Sequence, residues 1–194
     1  GRVEIARYEH IAIGVRMTRS PEADIASEPR WGRVMETFGE DPDLVTKMVT
    51  AQVVAFQNGR DGLNTGAIVA CMKHFPGAGP QMEGKDTSPI ISSAETLQFH
   101  LKPYYAALEV NIASIMPYYS VPLELDMENS AIGSKATLQD LLRDEMGFEG
   151  IIQTDWGMIW AIQEGRGTTL GEEVSDEAAI RIGITESPGE GRRR

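Results

Sequence analysis

The chain has one cysteine, Cys71, in 194 residues, so no disulfide can form within it and zinc sites built from paired cysteines are excluded. Cys71 lies in the apolar run Ala67-Ile68-Val69-Ala70-Cys71-Met72, where a lone thiol reads as a small buried hydrophobe. Histidine is also scarce. His10 and His100 have no cysteine or carboxylate at ligand spacing and His74 stands alone, so neither a metal nor another cofactor is expected. No uninterrupted apolar stretch approaches the ~20 residues of a membrane helix. The start, Gly1-Arg2-Val3-Glu4, lacks the apolar segment of a signal peptide, but such a segment is removable, so the compartment stays open. Basic residues are outnumbered 18 to 29, for a formal charge of -11. That charge repels nucleic acid and anionic membrane surfaces, and the basic cluster Arg192-Arg193-Arg194 reads as a frayed end. Gly77-Ala78-Gly79-Pro80 lacks the spacing and the Lys-Ser/Thr of a phosphate loop and reads as a flexible rim loop.

What is present is a hydrophobic content of 41%, enough for one sizeable core or a piece of a larger one. Short apolar runs alternate with amphipathic helical patterns. The run Ile11-Ala12-Ile13-Gly14-Val15 reads as β-type, and residues 21–26 read as a strand reaching a loop. Leu44, Val45, Met48, Val49, Val53 and Phe56 then fall at helical spacing after Asp41-Pro42, with Asn58-Gly59 as the stop. A second run, residues 67–72, ends at Lys73-His74-Phe75-Pro76-Gly77. Leu97, Leu101, Tyr104, Tyr105 and Leu108 make the next helical stripe, opened by Ser93 and expected to be bent or interrupted at Pro103. The third run, residues 112–116, ends at Pro117-Tyr118-Tyr119. A short helix through Leu138, Leu141, Leu142 and Met146 closes at Gly147, and Ile151-Ile152 leads to Thr154-Asp155-Trp156-Gly157.

Strands alternating with helices imply parallel pairing through right-handed crossovers. The expected fold is therefore α/β, a (β/α) TIM-like barrel in which Asp24, Lys73, His74, Tyr119 and Asp155 converge at the strand ends. A complete barrel needs about 250 residues, so an incomplete barrel or a segment of a larger one is expected. The barrel-type domain is placed at residues 1–185 and a flexible tail at 186–194.

Each candidate has a bland reading beside the chemical one. Asp155 is either a turn former at a strand end or a carboxylate presented to a substrate. Lys73-His74 is either a solvated strand exit or a pair of donors clamping hydroxyls. Glu28-Pro29-Arg30-Trp31-Gly32-Arg33 is either a surface turn with arginine stacked on Trp31 or a binding loop. Asp86, Glu83 and Lys85 read as loop charges.

The string Ala23-Asp24-Ile25-Ala26-Ser27-Glu28-Pro29-Arg30-Trp31-Gly32-Arg33, followed by Glu36-Thr37-Phe38-Gly39-Glu40-Asp41-Pro42, closely resembles the signature of glycoside hydrolase family 3, the β-glucosidase and β-xylosidase family. Further matches keep the family's order: Met72-Lys73-His74-Phe75-Pro76-Gly77, then Ala113-Ser114-Ile115-Met116-Pro117-Tyr118-Tyr119, then Leu141-Leu142-Arg143 with Gly147-Phe148-Glu149-Gly150, and finally Thr154-Asp155-Trp156-Gly157.

The resemblance implies a retaining exo-glycosidase acting on an oligosaccharide or β-glycoside, with Asp155 matching the family's nucleophile. Arg33, Lys73 and His74 match residues that hold the terminal sugar's hydroxyls, and Met116, Tyr119 and Trp156 match positions lining the same subsite. Asp24 and Arg30 match the signature in a structural role. Tyr119 is expected to hydrogen-bond Asp155, and Lys73 or Arg33 to favour its ionised form. In most of the family the acid/base carboxylate comes from a second domain, so another domain or chain is expected to complete the site, and the chain alone is expected to be nearly inactive. A substrate-binding aspartate early in the family's barrel has no counterpart here. Members that cleave N-acetylglucosamine use a histidine after the Lys-His pair, and residues 75–91 contain none, so a gluco- or xylo-configured sugar is expected. The reading from another class is a noncatalytic carbohydrate-binding or interaction protein on a degenerate barrel.

Overall fold

The computed structural model describes residues 1–91 and 93–158. The tail 186–194, and residues 174–179 that loosely resemble a last barrel helix, lie outside the described residues. Four strands, β1 (Met17–Thr18), β2 (Val69–Phe75), β3 (Ser114–Pro117) and β4 (Ile151–Ile152), form one sheet in the order β1-β2-β3-β4. Every pairing is parallel. Helices α2 (Pro42–Gln57), α3 (Ala94–Leu108) and α4 (Ala136–Glu145) carry the three crossovers, and α1 (Arg2–Ala12) precedes β1. Each strand lies next to its predecessor, the order of an arc of (β/α) barrel rather than of a doubly wound sheet, whose order reverses at a switch point. Among the described residues no helix is long and apolar enough to cross a membrane.

The helices form where their signals predict. Asp41 caps α2, accepting from the N–H groups of Asp43 and Leu44, with Pro42 in the first turn and left-handed Asn58 at the end. Ser93 and Thr96 form a reciprocal capping box on α3, satisfying donors that a helix start leaves free. Pro103 neither ends nor splits α3, which runs unbroken to Leu108. The helix α4 is wound with i→i+5 bonds, and Gly147 past its end has φ 72°, a backbone glycine adopts without strain.

One element differs from expectation. Ile11 and Ala12 are the last turn of α1, not the start of a strand. Gly14, at φ 85°, accounts for this: its N–H reaches Ile11 O and that of Val15 reaches His10 O, the paired bonds of a glycine helix stop. The apolar run therefore straddles a helix end, and the first strand begins two residues beyond it.

The core lies between the sheet and the helices. Val45, Val49, Val53 and Phe56 of α2, Leu97, Leu101 and Tyr104 of α3, and Leu138 and Leu142 of α4 pack with Ala70, Met72 and Ile115. Leu44 and Met48, also read as part of that stripe, are half-exposed, since they sit one position off the i, i+4, i+8 row. Alternation along a strand sends Cys71, Lys73, Ser114 and Met116 to the opposite face, toward the inside of the arc. Cys71 is fully buried there, bonded by the Ser114 hydroxyl, and burial pushes its thiol up to about 11.

A candidate sugar subsite at the strand ends

The segment after β1 sets the floor of the site. Lys73 N–H donates to Pro21 O and Ala23 N–H to Lys73 O, so Glu22 lies directly beside Lys73. Ala23 and Ile25 enter the helix-side core, which leaves Glu22 and Asp24 on the inner face. The β2–β3 register runs Lys73↔Met116 and then slips to Phe75↔Pro117. This irregularity re-aims the chain, so that the consecutive residues Lys73 and His74 both reach Glu22.

Asp24 is fully buried and saturated with donors. Its Oδ2 lies 2.8 Å from His74 Nδ1, and its Oδ1 accepts from Ala78 N–H at 2.5 Å. Burial alone would raise this carboxyl, but the His74 ring and the donated hydrogen bonds outweigh burial and lower it. Because Asp24 accepts at Nδ1, the network places the histidine proton there. The other ring nitrogen, Nε2, then faces Arg33 Nη1 at 3.4 Å and Asp155 Oδ2 at 3.7 Å.

Asp155 sits three residues beyond β4 with its side chain 9% exposed. Its Oδ1 accepts from Trp156 N–H at 2.7 Å. Tyr119 is near, and its hydroxyl is pushed up to about 12, first by burial and then by the charge of Asp155. Its hydroxyl donates to Trp156 O at 2.9 Å and also lies in hydrogen-bonding contact with the Asp155 carboxylate, so Tyr119 braces both the loop backbone and the carboxylate. Among the described residues the basic group within 4 Å of Asp155 is His74. Lys73 and Arg33 are instead engaged by other carboxylates: Lys73 Nζ is 3.1 Å from Glu22 Oε2, and Arg33 Nη2 is 2.9 Å from Glu36 and 3.7 Å from Glu22. Burial would lower the Arg33 guanidinium, but its bonds to Glu36 and the charge of Glu22 raise it.

The fold thus gathers Arg33, Lys73, His74 and Asp155 in one constellation, with Met116 buried beside Lys73 in the register. Trp156 stands apart: its indole is 71% exposed and lies 4.4 Å beneath the Arg19 guanidinium. Trp31 is buried, with the Arg33 guanidinium 5.8 Å over its ring, and its Nε1 donates to Asp86 at 2.8 Å.

Three features were missed from sequence, two of them without a local signal. Asp86 is no idle loop charge, since it accepts from both Trp31 and the Tyr118 hydroxyl; nothing in Gly84-Lys85-Asp86 signals this. Residues 77–79 are buried rather than a free rim loop, and a Cβ on Gly79 would lie 1.7 Å from Ile25 O. Glu22 had a signal, because Glu22-Ala23-Asp24-Ile25 alternates polar and apolar as a strand does.

Glu22, Asp24 and His74 bring potential ligand atoms within 4.8 Å of one another. The surroundings fit a metal poorly. The donor set already includes the Lys73 ammonium at 3.1 Å from Glu22, and a divalent cation there would meet fixed positive charge. A basic cluster compensated by carboxylates describes the site better, and it suits directed hydrogen bonds to a neutral polyol.

The model of the glycosyl hydrolase family 3 N-terminal domain matches residues 3–185. The chain belongs to glycoside hydrolase family 3. It is 39% identical over 162 residues to a probable β-glucosidase C of Aspergillus flavus, covering 80% of this chain and 25% of that protein. To a periplasmic β-glucosidase/β-xylosidase of Dickeya chrysanthemi it is 38% identical over 164 residues, covering 79% of this chain and 25% of the relative. The crystal structure of β-glucosidase from Listeria innocua superposes with a TM-score of 0.81 at 30% identity, over 95% of this chain and 25% of that one. The chain spans about a quarter of the length of the curated relatives it matches. Within the family 3 fold, the described strands are an arc of the barrel-like N-terminal domain.

Proposed function

We propose that this chain carries the nucleophile and the terminal-sugar subsite of a retaining, exo-acting β-glycosidase, with β-glucosides or β-xylosides as substrates. The observation that supports this best is the placement of Asp155 at the end of β4, with one oxygen fixed by Trp156 N–H and the other 3.7 Å from His74 Nε2. A carboxylate so held keeps a lone pair free for attack while Arg33 and Lys73 supply donors to sugar hydroxyls and His74 Nε2 offers an acceptor. Names of relatives that include β-glucosidase and β-xylosidase favour these sugars.

In the double displacement, an Asp155 oxygen forms a bond to the anomeric carbon as the bond to the leaving oxygen breaks, and a general acid protonates that oxygen. Water then attacks the same carbon, giving up its proton to the second carboxyl and releasing Asp155. Such a partner stands about 5 to 5.5 Å from the nucleophile. Asp24 is saturated and Glu22 is tied to Lys73, so neither serves as that partner; we assign the acid/base group to a further domain or chain, as the family resemblance implies. Without it, hydrolysis of unactivated glycosides should fall by roughly 10²–10⁴-fold.

An activated 2-deoxy-2-fluoroglucoside needs no general acid and traps the glycosyl-enzyme. Covalent labelling that peptide mass spectrometry maps to Asp155, and that is lost in Asp155→Ala, is the expected result. A chain that binds glucose but never labels would be a noncatalytic carbohydrate-binding protein.

A further inference from the structure

Glu22 is 7% exposed, and neither carboxylate oxygen has a hydrogen-bond partner of good geometry. A buried carboxyl left in that state is costly unless charge compensates it. Compensation comes from the two cations assigned to the sugar hydroxyls, with the His74 ring beside them. Oε2 is 3.1 Å from Lys73 Nζ and 3.7 Å from Arg33 Nη2, and Oε1 is 3.5 Å from His74 Nδ1. Backbone pairing on both sides of Glu22, to Lys73 N–H and Lys73 O, fixes this proximity.

We propose that Glu22 is a positioning residue of the sugar subsite: its carboxyl group anchors the Lys73 ammonium and the Arg33 guanidinium at the places from which they meet the sugar's hydroxyls. The proposal rests on the glycosidase reading above. Lysine is a flexible four-carbon stem, and a hydroxyl clamp is effective only when its head is held before the ligand arrives. Arg33 lies between Glu22 inside and Glu36, whose side chain is 45% exposed, outside. Without the inner carboxyl, Glu36 alone would direct the fork outward. Burial and the charge of Asp24 push Glu22 upward. In its neutral form the group still turns Oε2 toward both cations.

The test uses Glu22→Leu and Glu22→Ala, which remove both acceptors with and without filling the space, and Glu22→Gln, which restores one. Acetic anhydride reactivity of Lys73, measured by peptide mass spectrometry against the exposed Lys135, should rise about tenfold in the Leu and Ala variants and less in Gln. In fluoroglucoside labelling, the saturation constant should rise about tenfold while the limiting rate at Asp155 stays unchanged, a split that general loosening would not give. Lys73 reactivity within about twofold of wild type in a folded Leu or Ala variant overturns the proposal. So does a freed Lys73 with an unchanged saturation constant. If the wild-type chain never labels, it is the glycosidase reading that fails, and the Lys73 measurement alone decides whether Glu22 holds the ammonium.

Discussion

His74 Nδ1 lies 2.8 Å from Asp24 Oδ2 in a pair that is essentially closed to solvent. The pair decides which histidine nitrogen carries the proton, and so what Nε2 offers Asp155 and an incoming sugar. Asp24→Asn keeps the shape but turns one acceptor into a donor facing His74 or the Ala78 N–H. Losing charged, buried hydrogen bonds of this kind should cost about 2–4 kcal/mol of stability, read as a lower urea midpoint. In ¹⁵N spectra the wild-type ring should show the proton on Nδ1, and the variant should lose that preference. An unchanged tautomer in Asp24→Asn would mean that Asp24 does not set it.

His100 predicts the acid limit of stability. The ring is buried in α3, its Nε2 lies 3.4 Å from Ser27 Oγ, and Phe99 meets it edge-on. Burial pushes it down to about 4, against a weaker opposing pull from Asp24. An unfolded histidine titrates near 6.5, so the unfolded chain takes up a proton that the folded chain refuses. Stability from this group is full above pH 6.5 and is lost as pH falls toward 4, by about 2.5 kcal/mol at pH 4.5. Asp24, lowered in the fold, adds loss only below about pH 3.8, outside this range. Glu22, raised to about 9 by burial and the charge of Asp24, adds stability as pH falls and opposes the histidine. Urea midpoints at pH 7 and pH 4.5 measure the sum, and His100→Gln should remove the histidine share. Equal pH slopes for the two proteins would count against the buried neutral ring.

The fold class was legible because strand and helix periods alternate along the chain, and the caps at Asp41 and Ser93 announced their helices. Lys73, His74, Arg33 and Asp155 were legible as motif positions, and the parallel register brings them together. What sequence did not show follows from longer-range geometry. The slip between Lys73 and Phe75 lets adjacent residues serve one site, and no period-2 pattern encodes a slip. Gly79 looks like loop flexibility until Ile25 O is found where its Cβ would sit. The end of α1 was misread because Ile11 to Val15 is apolar throughout, and apolar runs alone do not separate helix ends from strands.

Asp86 supports the last prediction. Its Oδ1 accepts from Trp31 Nε1 and from the Tyr118 hydroxyl, joining the family-signature loop to the end of β3. Trp31, Tyr118, Ala78 and Ile90 form a cluster of their own beside the main core, and Tyr118 also packs 4.6 Å from the His74 ring. Asp86→Ala would leave a buried indole N–H and a largely buried hydroxyl without their acceptor, at about 1–3 kcal/mol. Because the cluster abuts Arg33, which lies 5.8 Å over the Trp31 ring, the loss should reach the subsite as well as the fold. Expected are a lower urea midpoint, a shift in tryptophan emission and weaker saturation by the fluoroglucoside. Asp86→Asn keeps an acceptor oxygen and should recover most of each. If Ala and Asn behave alike, the charge rather than the acceptor geometry of Asp86 organises the cluster.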